Sequence, residues 1–222
     1  MKHKTIEDIC PKIGINLSPE KIDQLCRFTQ EVLTWNERFN LVSKKDSNPD
    51  AIARHILDSL TVLGILRIPP NSKIVDIGSG AGFPAIPLKI IRADLDLTLI
   101  ESTHKKSLFL KHVVEKLHLS GVLVANRRAE ELCLQEQFSK RYDVATAKAL
   151  TDLFRTMNLS FPFLKTGGML ICYKGEKIER ELEEVKKKVR GEAFLIIRQE
   201  SIEIDQINLK RNLVVIEKRL DF

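Results

Sequence analysis

Three glycines at every second position, Gly78, Gly80 and Gly82, follow an aspartate in the run Val75-Asp76-Ile77-Gly78-Ser79-Gly80-Ala81-Gly82. Glycine tolerates positive φ and carries no Cβ, so a backbone of this composition can turn sharply beneath a bulky ligand. Dinucleotide loops space their glycines as G-x-G-x-x-G, which seats a pyrophosphate on a helix N-terminus. The tighter spacing here suits a cofactor without phosphates. S-adenosylmethionine fits that description, being adenosine joined to methionine through a sulfonium, and Asp76 is placed to attract its positive region or its ammonium group. Ser79 and Phe83 belong to the same loop and complete the expected contacts. Glu101 ends the next apolar run, Leu97-Thr98-Leu99-Ile100-Glu101, and lies 19 positions beyond Gly82. A carboxylate there can accept hydrogen bonds from both ribose hydroxyls, a task that dinucleotide folds give to an acid about 20 positions past their loop. Arg128-Ala129-Glu130 follows the third run and offers a short polar segment, with Ala129 and Glu130, for the adenine edge. A glycine-rich turn alone is weak grounds for a cofactor, and Glu101 alone reads as a solvated strand end. The loop, the acid and the surrounding α/β alternation, arriving in the right order, carry the reading together.

The elements that must hold these residues follow from periodicity. Ser18-Pro19-Glu20 reads as an N-cap with proline at the first helical position, and Ile22, Leu25, Val32 and Leu33 continue at helical spacing toward Trp35. Asn48-Pro49-Asp50 starts a second helix in the same way, with Ile52, Ile56, Leu57, Leu60 and Leu63 as its apolar stripe, ending before Pro69-Pro70-Asn71. The first seventy residues are therefore expected to be helical. From Lys73 onward, short β-rich runs alternate with helical segments. Ile74–Ile77, Leu95–Ile100, Val122–Ala125, Val144–Ala147 and Met169–Tyr173 are the candidate strands, and segments such as Lys105–Leu117 have the length of crossover helices. A parallel sheet covered on both faces follows. A charged helix over Glu176–Arg190 precedes two further runs, Ala193–Ile197 and Asn212–Glu217, which lack a long crossover and are expected to finish the sheet as an antiparallel pair.

The 222 residues, 43% of them hydrophobic, allow one large core. We read residues 1–70 as a helical extension and 71–222 as the cofactor-binding domain. The balance of 36 basic against 30 acidic residues, a net charge of +6, favours a polyanionic partner through its summed field. Cys10, Cys26, Cys133 and Cys172 show neither metal-ligand spacing nor a disulfide framework, so a reducing compartment and no metal are expected. Met1-Lys2-His3-Lys4 leads to Glu7 and Asp8 rather than to an apolar run, and no stretch approaches a membrane span. A cytoplasmic, monomeric enzyme without membrane contact is the expectation.

Several stretches together resemble a known family. They are Trp35-Asn36 with Asn40-Leu41, Arg54-His55-Ile56-Leu57-Asp58-Ser59, the Asp76–Pro87 loop, Lys105-Lys106 with Phe109-Leu110, Arg128-Ala129-Glu130-Glu131, Lys174-Gly175 and Arg211-Asn212-Leu213-Val214-Val215-Ile216. The chain resembles, over nearly its whole length, the bacterial small-subunit ribosomal RNA guanine-N7 methyltransferases, historically called glucose-inhibited division protein B. The resemblance implies a Rossmann-like, class I S-adenosylmethionine-dependent methyltransferase fold. That fold has a seven-stranded, mostly parallel sheet with helices on both faces and an N-terminal helical addition. It also implies action on one guanine of 16S ribosomal RNA near the decoding site. N7 of guanine has an in-plane lone pair and no proton to lose, so transfer needs positioning more than a general base. The sequence lacks the Asn-Pro-Pro-aromatic segment used on exocyclic amines, and Cys172, inside a strand run, reads as a buried thiol rather than a nucleophile.

One position departs from the family pattern. Where an arginine usually stands after the fourth strand, Thr146-Ala147-Lys148-Ala149 places Lys148, which keeps the charge but loses the planar fork. Lys148 is read as a positioning residue, counted among both the cofactor contacts and the RNA contacts, and not as a catalyst. Arg54, Lys105, Lys106, Lys174 and Arg211 are the other RNA-binding candidates, as cations able to reach phosphate. Arg54, His55 and Asp58 share a helix and equally read as ties between the N-terminal helices and the sheet. His104 and His112 read as surface residues, and the Glu179–Arg190 charge run as a solvated face. Three rival readings are a small-molecule methyltransferase, a non-catalytic cofactor-binding ribosome-associated protein and a nicotinamide-dependent oxidoreductase, the last disfavoured by the glycine spacing.

Overall fold

The computed structural model describes residues 2–175, 178–189 and 191–220. Helices α1 (Lys2–Ile9), α2 (Pro19–Phe39) and α3 (Pro49–Ile65) come first. They are followed by β1 (Lys73–Ile77), α4 (Ala85–Ile91), β2 (Asp96–Ile100), α5 (His104–Lys116), β3 (Val122–Ala125) and α6 (Ala129–Leu132). The chain continues through β4 (Tyr142–Lys148), α7 (Leu153–Ser160), β5 (Leu164–Lys174), α8 (Ile178–Lys188), β6 (Phe194–Ile204) and β7 (Leu209–Lys218). Glu176 and Arg190, the expected ends of the charged helix, lie outside the described residues.

The seven strands form one sheet in the order β3-β2-β1-β4-β5-β7-β6. Strands β1 to β5 pair in parallel, and β7 runs antiparallel to both β5 and β6. The last two strands thus close the sheet as the antiparallel pair expected from their short connection. A sheet covered on both faces buries successive side chains on opposite sides. In β5, Leu170 and Cys172 enter the core beneath α7 and α8, whereas Ile171 and Tyr173 enter the core shared with α2, α3, α4 and α5. Strand β7 alternates likewise, with Leu213 and Val215 on one face and Val214 and Ile216 on the other. The N-terminal helices contribute Phe28, Ile52, Ile56 and Leu60 to the same core as Ile74, Leu97 and Val215. Fully burying one such Leu or Ile stabilises by about 1.5–3 kcal/mol.

Local signals explain the element ends. Asn48 Oδ1 accepts from Ala51 N at 3.0 Å, so the cap of α3 is made by the expected side chain. Ser18 occupies the cap of α2 without a side-chain bond, and Pro19 supplies the fixed φ that starts the helix. The loop that the sequence sets at Asp76–Pro87 ends earlier, since α4 begins at Ala85. Proline at its third position is tolerated, since the first-turn N–H groups have no intrahelical acceptor. Strand β6 extends to Ile204, well past the expected Ile197. Its distal half is exposed and charged because it lies at the sheet edge, where only one neighbour covers it.

Candidate functional site

The glycine loop leaves β1 at the carboxyl edge of the sheet, next to the end of β2, where open α/β sheets bind ligands. Gly78 N and Ser79 N donate to Ile100 O at 2.9 and 3.0 Å, which pins the loop to the neighbouring strand. Gly80 has φ +54°, and a Cβ built there would meet nothing nearer than Gly78 O at 3.8 Å. Gly78 differs, since its Cβ would lie 2.6 Å from Leu150 Cδ1. Packing therefore fixes Gly78, while Gly80 keeps open space above the loop. Ser79 is buried and donates to Asp76 O at 3.1 Å.

Glu101 closes the loop from the β2 side. Its Oε2 accepts from Gly80 N at 2.9 Å and its Oε1 from Thr103 N at 2.7 Å. Each carboxylate oxygen retains a lone pair for a further donor. Asn126, which sequence reasoning did not single out, donates to Glu101 O at 2.8 Å and to Ser102 O at 3.1 Å, tying the ends of β2 and β3 together. A hollow of about 270 Å³ opens here, lined by Gly78, Ile100, Ser102, Ala129 and Glu130. Ala129 is buried and Glu130 exposed, at the start of α6. Arg127, Arg128, Leu150, Thr151 and Arg155 surround the same hollow. A larger one, about 700 Å³, lies at the opposite edge against Lys73, Asp96, Val122 and Tyr142, where the strands begin. It contains none of the loop residues.

Asp76 sits beneath the loop. It is 1% exposed, its Oδ1 accepts from Thr146 Oγ1 at 2.6 Å, and its Oδ2 has no hydrogen-bond partner. Burial pushes its carboxyl up to about 7, against the hydrogen bond from Thr146 and the charge of Lys148. Thr146 carries no motif of its own; the signal that could have found it is its place in β4 beside Asp76 in β1.

Lys148 ends β4 and points toward α3. Its side chain is 6% exposed, and its Nζ lies 2.9 Å from Asp58 Oδ2 and donates to His55 O at 3.1 Å. Arg211 from β7 reaches the same carboxylate, with Nε to Oδ1 at 3.1 Å and Nη2 to Oδ2 at 3.0 Å. Burial raises the Asp58 carboxyl, but Lys148 and Arg211 outweigh it and hold it below the usual range. Tyr173 Oη donates to Ser59 O at 2.8 Å, adding β5 to the seam. Phe83 joins loop and seam, with its ring 5.3 Å from those of Phe28 and His55 and under the Lys148 ammonium. Burial, then the Lys148 charge, lowers His55 to about 4, so its imidazole is neutral.

The structure thus places Gly78, Ala129 and Glu130 on the wall of one hollow, with Gly80 bonded to Glu101 in the adjoining loop, Ser79 and Asp76 buried under that loop, and Phe83 packed toward the seam. The other cations are dispersed. Arg54 pairs with Asp46 at 3.3 Å, and Lys174 with Glu181 at 2.9 Å while donating to Thr151 O. Lys105 is exposed at the start of α5 with its ammonium 5.7 Å from the Phe39 ring, and Lys106 beside it is half-buried. His112 is not simply a surface residue: its Nε2 lies 2.7 Å from Glu31 Oε2, and its ring is 5.0 Å from that of Trp35. Cys172 is fully buried and its thiol is pushed up to about 12, which withholds the thiolate that nucleophilic chemistry needs.

These features fit a nucleoside cofactor without phosphates. The loop has positive φ with open space over Gly80, Glu101 keeps acceptor capacity for a ribose diol, and Ala129-Glu130 edges the hollow. Among the described residues no group of three or more His, Cys, Asp or Glu could hold a metal, and no helix is long and apolar enough to cross a membrane.

Residues 21–215 match the family described as rRNA small subunit methyltransferase G. A protein of Roseiflexus castenholzii named Ribosomal RNA small subunit methyltransferase G is 38% identical over 205 residues, covering 92% of this chain and 86% of its own length. One of Alkaliphilus metalliredigens with the same name is 32% identical over 213 residues, covering 96% of this chain and 89% of its own. Among solved structures, a variant of MtNAS in complex with S-adenosylmethionine aligns at a TM-score of 0.57 over 98% of this chain and 78% of that chain. At 16% identity it shows the fold alone, an α/β, Rossmann-like sheet.

Proposed function

The chain belongs to the rRNA small subunit methyltransferase G family, and on that premise we propose that it methylates N7 of a specific guanine in 16S ribosomal RNA near the decoding site. It is an S-adenosylmethionine-dependent methyltransferase. The observation that carries the reading is the bond from Gly80 N to Glu101 Oε2, which joins the glycine loop and the strand-end acid in one cradle.

S-adenosylmethionine, when bound, supplies an electrophilic methyl group on a sulfonium. Gly80 would let the backbone approach it, with Gly78 and Gly82 packed against Leu150 and Ile86 to hold the turn, Glu101 would accept from the ribose hydroxyls, and Ala129 with Glu130 would border the adenine. Asp76, Ser79, Phe83 and Lys148 support this cradle from below and beside it. Guanine N7 would take the methyl carbon with its in-plane lone pair as the carbon–sulfur bond breaks and its electron pair stays on sulfur as a neutral thioether; no proton moves, so the chain supplies orientation rather than proton transfer. Lys105 and Lys106 contact the RNA from the solvent side. Arg54, Lys148, Lys174 and Arg211, whose charges are engaged by carboxylates, shape the walls on which the RNA rests. Residues 1–70 act as a helical extension on a 71–222 methyltransferase domain, in a cytoplasmic monomer.

The test is transfer of labelled methyl to small ribosomal subunits from a strain lacking the enzyme, with the modified nucleotide mapped. Label at N7 of a single guanine is expected. Cofactor binding without label on the subunits would sink the RNA reading and favour a small-molecule acceptor or a non-catalytic role.

A further inference from the structure

The cations of this chain fall into two groups. Arg54, Lys148, Lys174 and Arg211, which the sequence offers as RNA contacts, each face a carboxylate within 3.3 Å. A charge neutralised in this way contributes little to an anionic partner, since binding has to compete with the internal pair. Arg127, between β3 and α6, and Arg155, in the first turn of α7, are different. Both are exposed, both line the hollow that contains Gly78 and Ala129, and among the described residues neither guanidinium is paired with a carboxylate. Arg128 lines the same hollow and is also exposed, and Glu130 is the one acid lining it among the described residues. Three guanidiniums around one opening repel each other until an anion arrives, and their planar forks match phosphate oxygens bidentately.

We propose that Arg127 and Arg155 grip the phosphates on either side of the target nucleotide, so that the RNA backbone crosses the mouth of the cofactor hollow between the β3–α6 connection and α7. This rests on the reading of the hollow as the methyl-donor site. A base presented there is held by its own backbone at the mouth of the hollow, above the cofactor seated inside it, and the phosphate contacts set its register. Arg128 flanks the pair, and Ser102 and Thr151 supply hydroxyls at the same opening.

The experiment measures affinity of the full chain for transcribed 16S ribosomal RNA across a salt series, beside calorimetric titration with S-adenosylmethionine. Removing both groups in Arg127→Ala/Arg155→Ala is expected to weaken RNA binding by roughly 10–100-fold near 0.1 M salt. It should also flatten the slope of log affinity against log salt by about 1.5–2, one increment per lost phosphate contact. Cofactor affinity is expected to stay within about twofold. A control, Lys186→Ala/Lys187→Ala, removes the same charge from the exposed end of α8 and is expected to leave most of the slope intact. Equal slopes for the Arg127/Arg155 variant and wild type would overturn the proposal, as would a loss confined to cofactor affinity. If wild type transfers label to the subunits while this variant binds RNA unchanged, the arginine assignment falls and the methyltransferase reading stands. If wild type transfers none, it is the methyltransferase reading that falls.

Discussion

Asp58 and Asp76 are buried to the same degree, each 1% exposed, yet the protein treats them in opposite ways. Asp58 lies in the seam between α3 and the sheet and receives two cations, Lys148 and Arg211. Asp76 lies under the glycine loop and receives one hydroxyl, that of Thr146, leaving an oxygen unpartnered. Desolvation acts on both, so the partners decide the protonation state: the seam carboxylate is held ionised, and the loop carboxyl is pushed up to about 7. The difference teaches where this fold places rigidity and where it keeps an unbalanced group. Perturbed, under-satisfied groups gather at functional sites, whereas fully paired ones tie elements together.

The hardest blow to that contrast is Asp58→Ala. It leaves two cations facing each other in the interior and is expected to lower unfolding free energy by about 3–5 kcal/mol in urea titration. A loss under about 1 kcal/mol would mean that solvent reaches the seam and that the pairing is not structural. Next comes Asp76→Asn, read through pH. A folded-state value raised from 3.8 to about 7 means that the folded chain holds a proton the unfolded chain releases. Wild-type stability should therefore fall as pH rises from about 4 to about 7, by up to about 4 kcal/mol, and stay level above that. The Asn variant should lack that descent, and parallel stability curves for the two proteins would show Asp76 to be already ionised when folded. Asp58, held low, works the other way: its contribution is present above about pH 4 and is lost as acid protonates it, so Asp58→Asn should flatten the acid limb of the same curves.

Gly80→Arg sharpens the contrast from the loop side, since a side chain there enters the open space above the backbone at a positive φ. Cofactor affinity should drop at least about 100-fold in calorimetry, or nearly 3 kcal/mol, while the seam is untouched. Affinity within a few-fold of wild type would remove the loop from the binding site. The smallest effect belongs to Tyr173→Phe, which deletes the hydroxyl bonded to Ser59 O and should cost about 1 kcal/mol with cofactor affinity unchanged.

The strands of the parallel half are legible in the sequence because both faces are covered, which leaves short apolar runs such as Ile74–Ile77 and Leu97–Ile100. The loop and Glu101 are legible because they interrupt those runs at strand ends, with residue types that backbone geometry and hydrogen bonding demand. Strand β6 beyond Ile197 is not, because an edge strand with one partner has no need of a continuous apolar pattern. The engagement of Lys148, Lys174 and Arg211 is invisible for another reason. Arg211 meets Asp58 across 153 residues of sequence, and no local pattern reports whether a cation will find an acid at that range. Arg127 and Arg155 are not legible in the sequence because an unpaired charge is defined by what does not approach it, which only three-dimensional structure reveals.

Strand β7 is threaded between β5 and β6, and this order has a kinetic side. During synthesis β6 emerges with no neighbour to pair with, because its sole partner in the sheet follows it in the chain. Until β7 inserts, β5 has an open edge, and Asp58 waits with Lys148 alone, its second cation not yet delivered. The contacts that complete the seam are thus among the longest in sequence, the kind that form late and slowly. A nascent chain stalled before Leu209 would present the open edge of β5 and a wholly unpaired β6, a surface that chaperones, or other copies of the same intermediate, are suited to capture.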